Sequence, residues 1–232
     1  MQLLLIIIGW IFALIFLFNN SIKEYPILRS LIKSLPIIFD ILFISIQYST
    51  SFEVYMIIGL IWCCLGDFVL EYSSSQLCFL IGTFSFIVAH CFNSLGFFSN
   101  SPGIDIGSFI IPFLLTCVVF VFFLLSVFSF KIQLPLKVGC LFYATIIVTA
   151  FYSSLHFLFN SNQYNLLSRF LCSIGYFYFV LSDLILFQMV FNKPSSLKRF
   201  WCMITYYIAQ SLLCVGTVMT MNVQPSFLRN IN

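Results

Sequence analysis

Two aspartates in matching contexts are the strongest chemical signal in this sequence. Asp67 lies in the segment LGDFVL, residues 65–70, and Asp183 lies in the segment LSDLIL, residues 181–186. An acidic side chain in an apolar helix costs about 2.5 to 3.5 kcal/mol on membrane-insertion scales, so each needs a partner, a water-filled cavity or a function. Because one carboxyl group can donate a proton while the other accepts one, the pair predicts acid–base chemistry.

The composition indicates the kind of fold that must position this pair. Of the 232 residues, 62% are hydrophobic and 7% are charged, and the mean hydropathy is +1.10. About 25% of residues are charged in a soluble domain, so a soluble globular domain is excluded. Since each membrane crossing needs about 20 apolar residues, we expect an all-α, polytopic membrane helix bundle that forms a single transmembrane domain, residues 1–232.

Polar and Pro- or Gly-containing breaks divide the chain into eight apolar stretches. They predict helices near 3–18, 30–48, 54–71, 77–98, 106–129, 135–158, 166–191 and 200–221. Asp67 and Asp183 then lie in spans 3 and 7, which run in the same direction, and are 116 residues apart, half the chain. The offset favours two parallel four-helix halves, and it also relates His90 to Tyr206 and Ser94 to Gln210.

The basic residues predict the orientation of the bundle. The loops after the odd spans, with the adjoining helix ends, contain Lys23, Arg29, Lys33, Lys131, Lys137, Lys193, Lys198 and Arg199, whereas the other side contains Arg169 and Arg229. Positive residues concentrate on the cytoplasmic side. We therefore expect a multi-pass protein with both termini on the non-cytoplasmic face and both aspartates in the cytoplasmic half. The first span lacks the basic start and cleavage site of a signal peptide, so we expect it to be a membrane span.

Further polar residues share helix faces with the aspartates or stand nearby. They are Lys33 and Asp40 in span 2, Glu71 one turn after Asp67, His90 and Asn93 in span 4, and Tyr206, Tyr207 and Gln210 in span 8. Together they could line one polar cavity that opens toward the cytoplasm. The alternatives are that Lys33 and Glu71 extend to the membrane interface, that His90 only bonds a neighbouring helix, and that the aspartates are structural partners of Lys33 or of tyrosine hydroxyls.

Three other kinds of function are not indicated. The net charge of +3 is spread along the chain, so there is no basic patch for nucleic acid. The nine cysteines lie in or beside apolar stretches without a CxxC pair, which predicts small buried side chains. With two histidines, the sequence offers no metal site, and we expect no cofactor.

Five short motifs resemble the YhhN/TMEM86 family. They are KSLP at 33–36, LGD at 65–67, Ala89-His90, LSDL at 181–184 and TYYIAQ at 205–210, which occur in the family's order over nearly the whole chain. The family comprises integral membrane lysoplasmalogenases with eight helices, found in the endoplasmic-reticulum membrane in animal members. The family commonly has tyrosine three residues after the span 4 histidine, where this chain has Asn93.

The resemblance implies hydrolysis of the vinyl-ether bond of a lysoplasmalogen. The products are a fatty aldehyde and glycerophosphoethanolamine or glycerophosphocholine. An acid must protonate the β-carbon of the vinyl ether, and water then captures the oxocarbenium ion, as in glycoside hydrolysis. We expect Asp67 and Asp183 to share the acid and base roles, in either assignment. Lys33 would attract the phosphate, and the polar residues of spans 4 and 8 would orient water or hold the polar group.

Two other functions fit the same composition. A membrane carrier for a small solute or lipid also uses acids inside the membrane and repeated halves. A non-catalytic, lipid-binding relative would keep the fold without the reaction, and Asn93 is its one sequence hint.

Overall fold

Eight α-helices make up most of the part of the chain that the structure describes. The computed structural model describes residues 2–19, 24–46, 50–101, 106–129, 133–161, 164–192 and 195–220, and within them it contains no strand. The helices are α1 Gln2–Phe18, α2 Pro26–Ser45, α3 Ser51–Tyr72, α4 Gln76–Ser99, α5 Ile106–Ser129, α6 Leu134–Asn160, α7 Leu166–Phe191 and α8 Ser196–Thr220. The all-α prediction is confirmed, and each predicted span overlaps one helix with ends that differ by at most four residues.

Six helices, α3 to α8, are long and apolar enough to cross a membrane. Helix α1 is apolar but shorter, and α2 contains three charged residues, Arg29, Lys33 and Asp40. Large apolar side chains cover the outside of the bundle, as at Leu3, Phe84 and Leu125, which are more than half exposed. Such an outer surface suits lipid rather than water, so the polytopic helix bundle is confirmed.

Local hydrogen bonds mark where three helices begin. The side chains of Ser75 and Asn165 accept backbone N–H bonds at the starts of α4 and α7. At the start of α3, the backbone N–H of Thr50 donates to Glu53 at 2.7 Å. Glu53 is fully buried. This capping interaction explains the buried carboxylate, because the first turn of a helix has unpaired N–H groups.

The helices form two similarly arranged halves. Within each half every helix packs against the next one along the chain, and the halves meet where α4 packs on α6 and α2 packs on α8. Adding four to each helix number, and counting on from α8 to α1, converts the contact of α4 with α6 into the contact of α8 with α2. The close approaches also correspond: Gly66 lies against Phe86, and Ser182 lies against Cys202, each pair 116 residues from the other. The predicted relation between the halves is therefore visible in the packing.

Aromatic side chains fill one end of the bundle. The rings of Phe52, Phe97 and Phe157 are completely buried and stand 5.2 to 5.6 Å apart between centroids. They come from the start of α3 and from the ends of α4 and α6. The polar residues Asn100 and Ser161 are buried at this end as well and are hydrogen-bonded to each other, so this end of the bundle is closely packed.

Basic residues concentrate at the opposite end of the bundle. Arg29, Lys137, Lys198 and Arg199 lie in the first turns of α2, α6 and α8, and Lys33 lies one turn after Arg29. Arg169 lies at the other end, in the first turn of α7. Four further residues used in the orientation prediction, Lys23, Lys131, Lys193 and Arg229, lie outside the described residues. The asymmetry predicted from the sequence thus holds for the six residues that the structure covers.

All nine cysteines are free and lie in helices. Five of them are buried as predicted: Cys63, Cys140, Cys172, Cys202 and Cys214. Cys91 and Cys117 are instead exposed on the outer surface of α4 and α5, where an apolar thiol can face lipid.

Candidate functional site

A cavity of about 600 Å³ lies at the basic end of the bundle, and both aspartates line it. Helices α2, α3, α4, α6, α7 and α8 all contribute to its wall. The polar side chains at the wall are Lys33, Asp67, Glu71, Thr83, Tyr143, Ser182, Asp183, Arg199 and Tyr206. The rest of the wall is mainly apolar, with Leu70, Phe79, Phe84, Ile87, Phe142, Leu186 and Val190 among its residues. A small polar group within a large apolar enclosure is typical of a site for an amphiphilic ligand.

Asp67 is held by a cation and a phenol. Lys33 Nζ lies 3.2 Å from Asp67 Oδ1, and the hydroxyl of Tyr206 donates to Asp67 Oδ2 at 2.7 Å. All three residues are at most 7% exposed. An opposite charge and a hydrogen-bond donor therefore both contact the Asp67 carboxyl group, and they offset part of the cost of burying it.

Asp183 has a different environment. The hydroxyl of Tyr143, on α6, donates to Asp183 Oδ2 at 2.6 Å. Among the residues that the structure covers, Asp183 has no ion-pair partner. The two halves of the bundle therefore present chemically unequal carboxyl groups to one cavity: Asp67 has a cation, and Asp183 has a neutral phenol.

Glu71, one helical turn after Asp67, forms ion pairs with three basic side chains. Arg29 Nε and Arg199 Nη2 each lie 2.6 Å from Glu71 Oε1, and Lys33 Nζ lies 3.8 Å from Glu71 Oε2. Lys33 is 7% exposed and is paired inside the bundle. This placement does not fit the interpretation that Lys33 and Glu71 only extend to the membrane interface.

The remaining predicted residues of α4 and α8 are buried but do not line the cavity. The hydroxyl of Tyr207 donates to the carbonyl oxygen of Lys33 at 3.2 Å. His90 is completely buried, with its ring edge-on to Phe179 at 4.8 Å and 6.1 Å from the ring of Tyr143. Gln210 is buried one turn beyond Tyr206. These residues, and Asn93, support the wall without lining it.

Asn93 packs against another helix at its closest approach. A Cβ atom on Gly59 of α3 would lie 2.0 Å from Asn93 Oδ1, so Gly59 and Asn93 fit together only because the glycine has no side chain. Asn93 is 4% exposed. Asn93 stands where the family commonly has tyrosine, and in this chain it packs in the interface between α3 and α4.

Asp40 does not join the predicted polar cavity. It lines a separate, much smaller cavity between α1, α2 and α8, together with Ile6, Gly9, Trp10, Ala13, Pro36, Tyr207 and Ser211. The expectation that Asp40 and Lys33 line one cavity is therefore wrong. Tyr207 separates them, because it bonds the backbone of Lys33 and also lines the cavity of Asp40.

The sequence reasoning missed Tyr143 as the partner of Asp183, and it treated Arg29 and Arg199 only as markers of orientation. Nothing in its segment distinguishes Tyr143 from the other ten tyrosines. Arg29 carried a usable signal, because it precedes Lys33 by four residues and so shares its helix face.

A known protein family matches most of this sequence. The sequence model of the YhhN family matches residues 28–217, about four fifths of the chain, and this range includes every polar residue of the cavity wall. No curated protein and no solved structure matches the chain. With the family match spanning α2 to α8 and both aspartates, the chain belongs to the YhhN family.

Proposed function

We propose that this protein is a lysoplasmalogenase, an intramembrane hydrolase that cleaves the vinyl-ether bond of a lyso-plasmenyl lipid. A lysoplasmalogenase role is known for the YhhN family in general. The observation that carries the proposal for this chain is that two unequal carboxyl groups line one mainly apolar cavity. Such a cavity suits a substrate with one hydrocarbon chain and a polar head group.

The proposed reaction consumes one water. A carboxylic acid gives its proton to the β-carbon of the vinyl ether, and the electron pair of the carbon–carbon double bond forms the new C–H bond. The resulting oxocarbenium ion is attacked at the α-carbon by water, which loses a proton to the second carboxylate. The hemiacetal then gives its hydroxyl proton to the carboxylate left by the first step, and its bond to the glycerol oxygen breaks as the aldehyde carbonyl forms. The glycerol oxygen takes the proton held by the second carboxyl group, so both carboxyl groups return to their starting states. Each proton transfer by a positioned carboxyl group contributes about 10²- to 10⁴-fold.

The environments of the two aspartates suggest which of them acts as the acid and which acts as the base. Asp67 has Lys33 as its counter-ion and is suited to remain a carboxylate, so it takes the base role. Asp183 has no counter-ion in the described part of the chain and is suited to carry the proton, so it takes the acid role. Dividing the roles of two carboxyl groups by their surroundings is a recurring arrangement in hydrolases.

The closed aromatic end of the bundle favours the hydrolase over a carrier. A carrier must open its binding site to each side of the membrane in turn. Here the cavity is at one end, and the rings of Phe52, Phe97 and Phe157 pack tightly at the other. An enzyme that takes its substrate from the membrane and releases products needs an opening at one end only.

The direct test is an assay of the purified protein with lyso-plasmenylethanolamine and lyso-plasmenylcholine. We expect release of a fatty aldehyde with an equal amount of the glycerophospho product. A 1-acyl lysophospholipid of equal chain length is the control, because its ester lacks the double bond that accepts the proton. Transport of a labelled lipid across sealed vesicles without aldehyde would instead support a carrier, and binding without either activity would support the non-catalytic relative.

Filling the cavity should shorten the preferred hydrocarbon chain. Gly139 on α6 lines the cavity, and a Cβ atom there would meet nothing within 4 Å. In Gly139→Phe the ring would occupy space that the substrate chain uses, so kcat/KM should fall by about tenfold or more for long-chain substrates and little for short ones, since each lost CH₂ contact is worth about 0.8 kcal/mol. Gly139→Ala is the control, and an unchanged chain-length profile in Gly139→Phe would contradict this placement of the chain.

We also propose that the protein resides in the endoplasmic-reticulum membrane with both termini on the lumenal side. The orientation is supported by the excess of basic residues at the cavity end of the bundle, since positive residues concentrate on the cytoplasmic side. The organelle is proposed from the family, whose animal members lie in that membrane. A tag at either terminus should resist a protease added to intact microsomes and become sensitive once detergent opens them. Digestion before detergent would reverse the orientation.

A further inference from the structure

We propose that Arg199, held in place by Glu71, binds the phosphate of the substrate head group, so that this protein prefers lipids with an anionic phosphodiester to the same lipids without it. The inference rests on the proposed function and extends it to the substrate class. Arg199 lies in the first turn of α8 and lines the cavity, and 46% of its side chain is exposed. It is thus the most exposed member of the cation cluster, since the side chains of Arg29 and Lys33 are less than 10% exposed.

The cluster is built to keep positive charges close together. Arg29 and Arg199 both contact the same oxygen of Glu71 at 2.6 Å, and both guanidinium groups lie over the ring of Phe16, at 4.5 and 5.9 Å from its centroid. Two positive charges repel each other, and their attraction to the carboxylate of Glu71 offsets this repulsion. A second anion beside the same guanidinium groups would further stabilise this arrangement.

The charges of the cluster do not balance within the protein. Lys33, Arg29 and Arg199 provide three positive charges, and Asp67 and Glu71 provide two negative ones. Arg29 is 6% exposed, and among the residues that the structure covers its Nη1 atom has no hydrogen-bond partner. A buried charge without full compensation is costly. One phosphodiester carries one negative charge and would neutralise the cluster.

The spacing of the two groups of residues matches a glycerophospho lipid. Glu71 follows Asp67 by one turn of α3, a rise of about 6 Å along the helix axis. The three-carbon glycerol unit separates the phosphate from the vinyl-ether oxygen by a comparable distance. With the phosphate at Arg199, the vinyl ether reaches the level of the two aspartates, and the hydrocarbon chain continues along the apolar wall.

The test compares two substrates that differ only in the phosphate head group. Arg199→Gln should raise KM for lyso-plasmenylcholine by about 10- to 100-fold, the range expected for hydrogen bonds to a charged group. The same variant should leave kcat/KM for a 1-O-alkenylglycerol of equal chain length within about twofold of the wild-type value. Lys198→Gln is the matched control, because it removes one positive charge from the adjacent position of α8; it should change neither substrate's KM.

A binding measurement separates this inference from the proposed reaction. A 1-O-alkyl lysophosphocholine lacks the double bond, so it reports binding without hydrolysis. In nanodiscs, Arg199→Gln should weaken its binding by about 10- to 100-fold and leave the binding of 1-O-alkylglycerol unchanged. If wild-type protein releases no aldehyde, the proposed function fails while this comparison still decides the phosphate site. Equal weakening for both lipids, or for neither, would overturn the role of Arg199.

Discussion

Replacing Asp183 by asparagine should reduce aldehyde release from a lyso-plasmenyl lipid by about 10²- to 10⁴-fold. Asparagine keeps the shape of the side chain and can bond the hydroxyl of Tyr143, but it has no proton to give to the vinyl ether. Asp67→Asn should lose activity over a similar range because the attacking water then has no carboxylate to accept its proton. Both losses should appear mainly in kcat, since neither side chain is assigned to the hydrocarbon chain or the phosphate.

Asp40→Asn provides the matched control for these two variants. It also changes a buried acid in a membrane helix, but it does so in the small cavity between α1, α2 and α8. We expect its kcat to stay within about twofold of wild type. Size-exclusion profiles and the yield of inserted protein should match wild type for Asp183→Asn and Asp40→Asn. Asp67→Asn leaves Lys33 with Glu71 as its remaining ion-pair partner, so it should still insert but unfold at a lower temperature. Full activity in Asp67→Asn or Asp183→Asn would remove that residue from the mechanism.

Tyr143→Phe tests the hydrogen bond that orients Asp183, because it leaves the carboxyl group of Asp183 in place. The change removes the hydroxyl that donates to Asp183 Oδ2 and leaves the ring. A carboxyl group that has lost its orienting bond samples more rotamers, so kcat should fall by less than in Asp183→Asn, by about tenfold, the effect of one lost hydrogen bond. An equally large loss in Tyr143→Phe would assign the proton transfer to the phenol instead.

The sequence could predict the helices and the aspartate pair because both depend on local patterns. Twenty apolar residues in a row have few alternatives to a membrane helix, since the backbone must satisfy its own hydrogen bonds in lipid. The matching segments around Asp67 and Asp183 reflect two equivalent positions in two similar halves, which the helix contacts display. Each of these features is visible without knowing which helices become neighbours.

Asp40 shows where this reasoning fails. Lys33 and Asp40 are seven residues apart, so helical periodicity places them on one face of α2, about 10 Å apart along its axis. Helical periodicity predicts the direction in which a side chain points. It does not predict which residues of the neighbouring helices pack against that side chain. Here Tyr207 of α8 lies between them, because its hydroxyl bonds the carbonyl oxygen of Lys33 and it also lines the small cavity of Asp40. The bond from Tyr143 to Asp183 depends in the same way on how α6 packs against α7.

The pairing of Asp67 with Lys33 and Tyr206 also fits the alternative that this aspartate has a structural role. A structural pair would stabilise the bundle and need not take part in a reaction. The two roles can be separated, because a neutral replacement of both partners removes the charges but restores the balance between them. Breaking a buried ion pair at one side costs about 3 to 5 kcal/mol, whereas replacing both partners is often nearly neutral.

Lys33→Met should therefore lower the thermal stability of the detergent-solubilised protein strongly, since it leaves Asp67 buried without its cation. Combining Lys33→Met with Asp67→Asn should recover most of the lost stability and none of the aldehyde release, because the double variant has no carboxylate to take the proton from water. The measurements are the midpoint of thermal unfolding and kcat for the wild type, both single variants and the double variant. Lys198→Met, a change outside the buried ion pairs described for the bundle, controls for the loss of one positive charge. If the double variant regained both stability and activity, Asp67 would serve only to balance Lys33, and the water-activating carboxylate would have to be another residue.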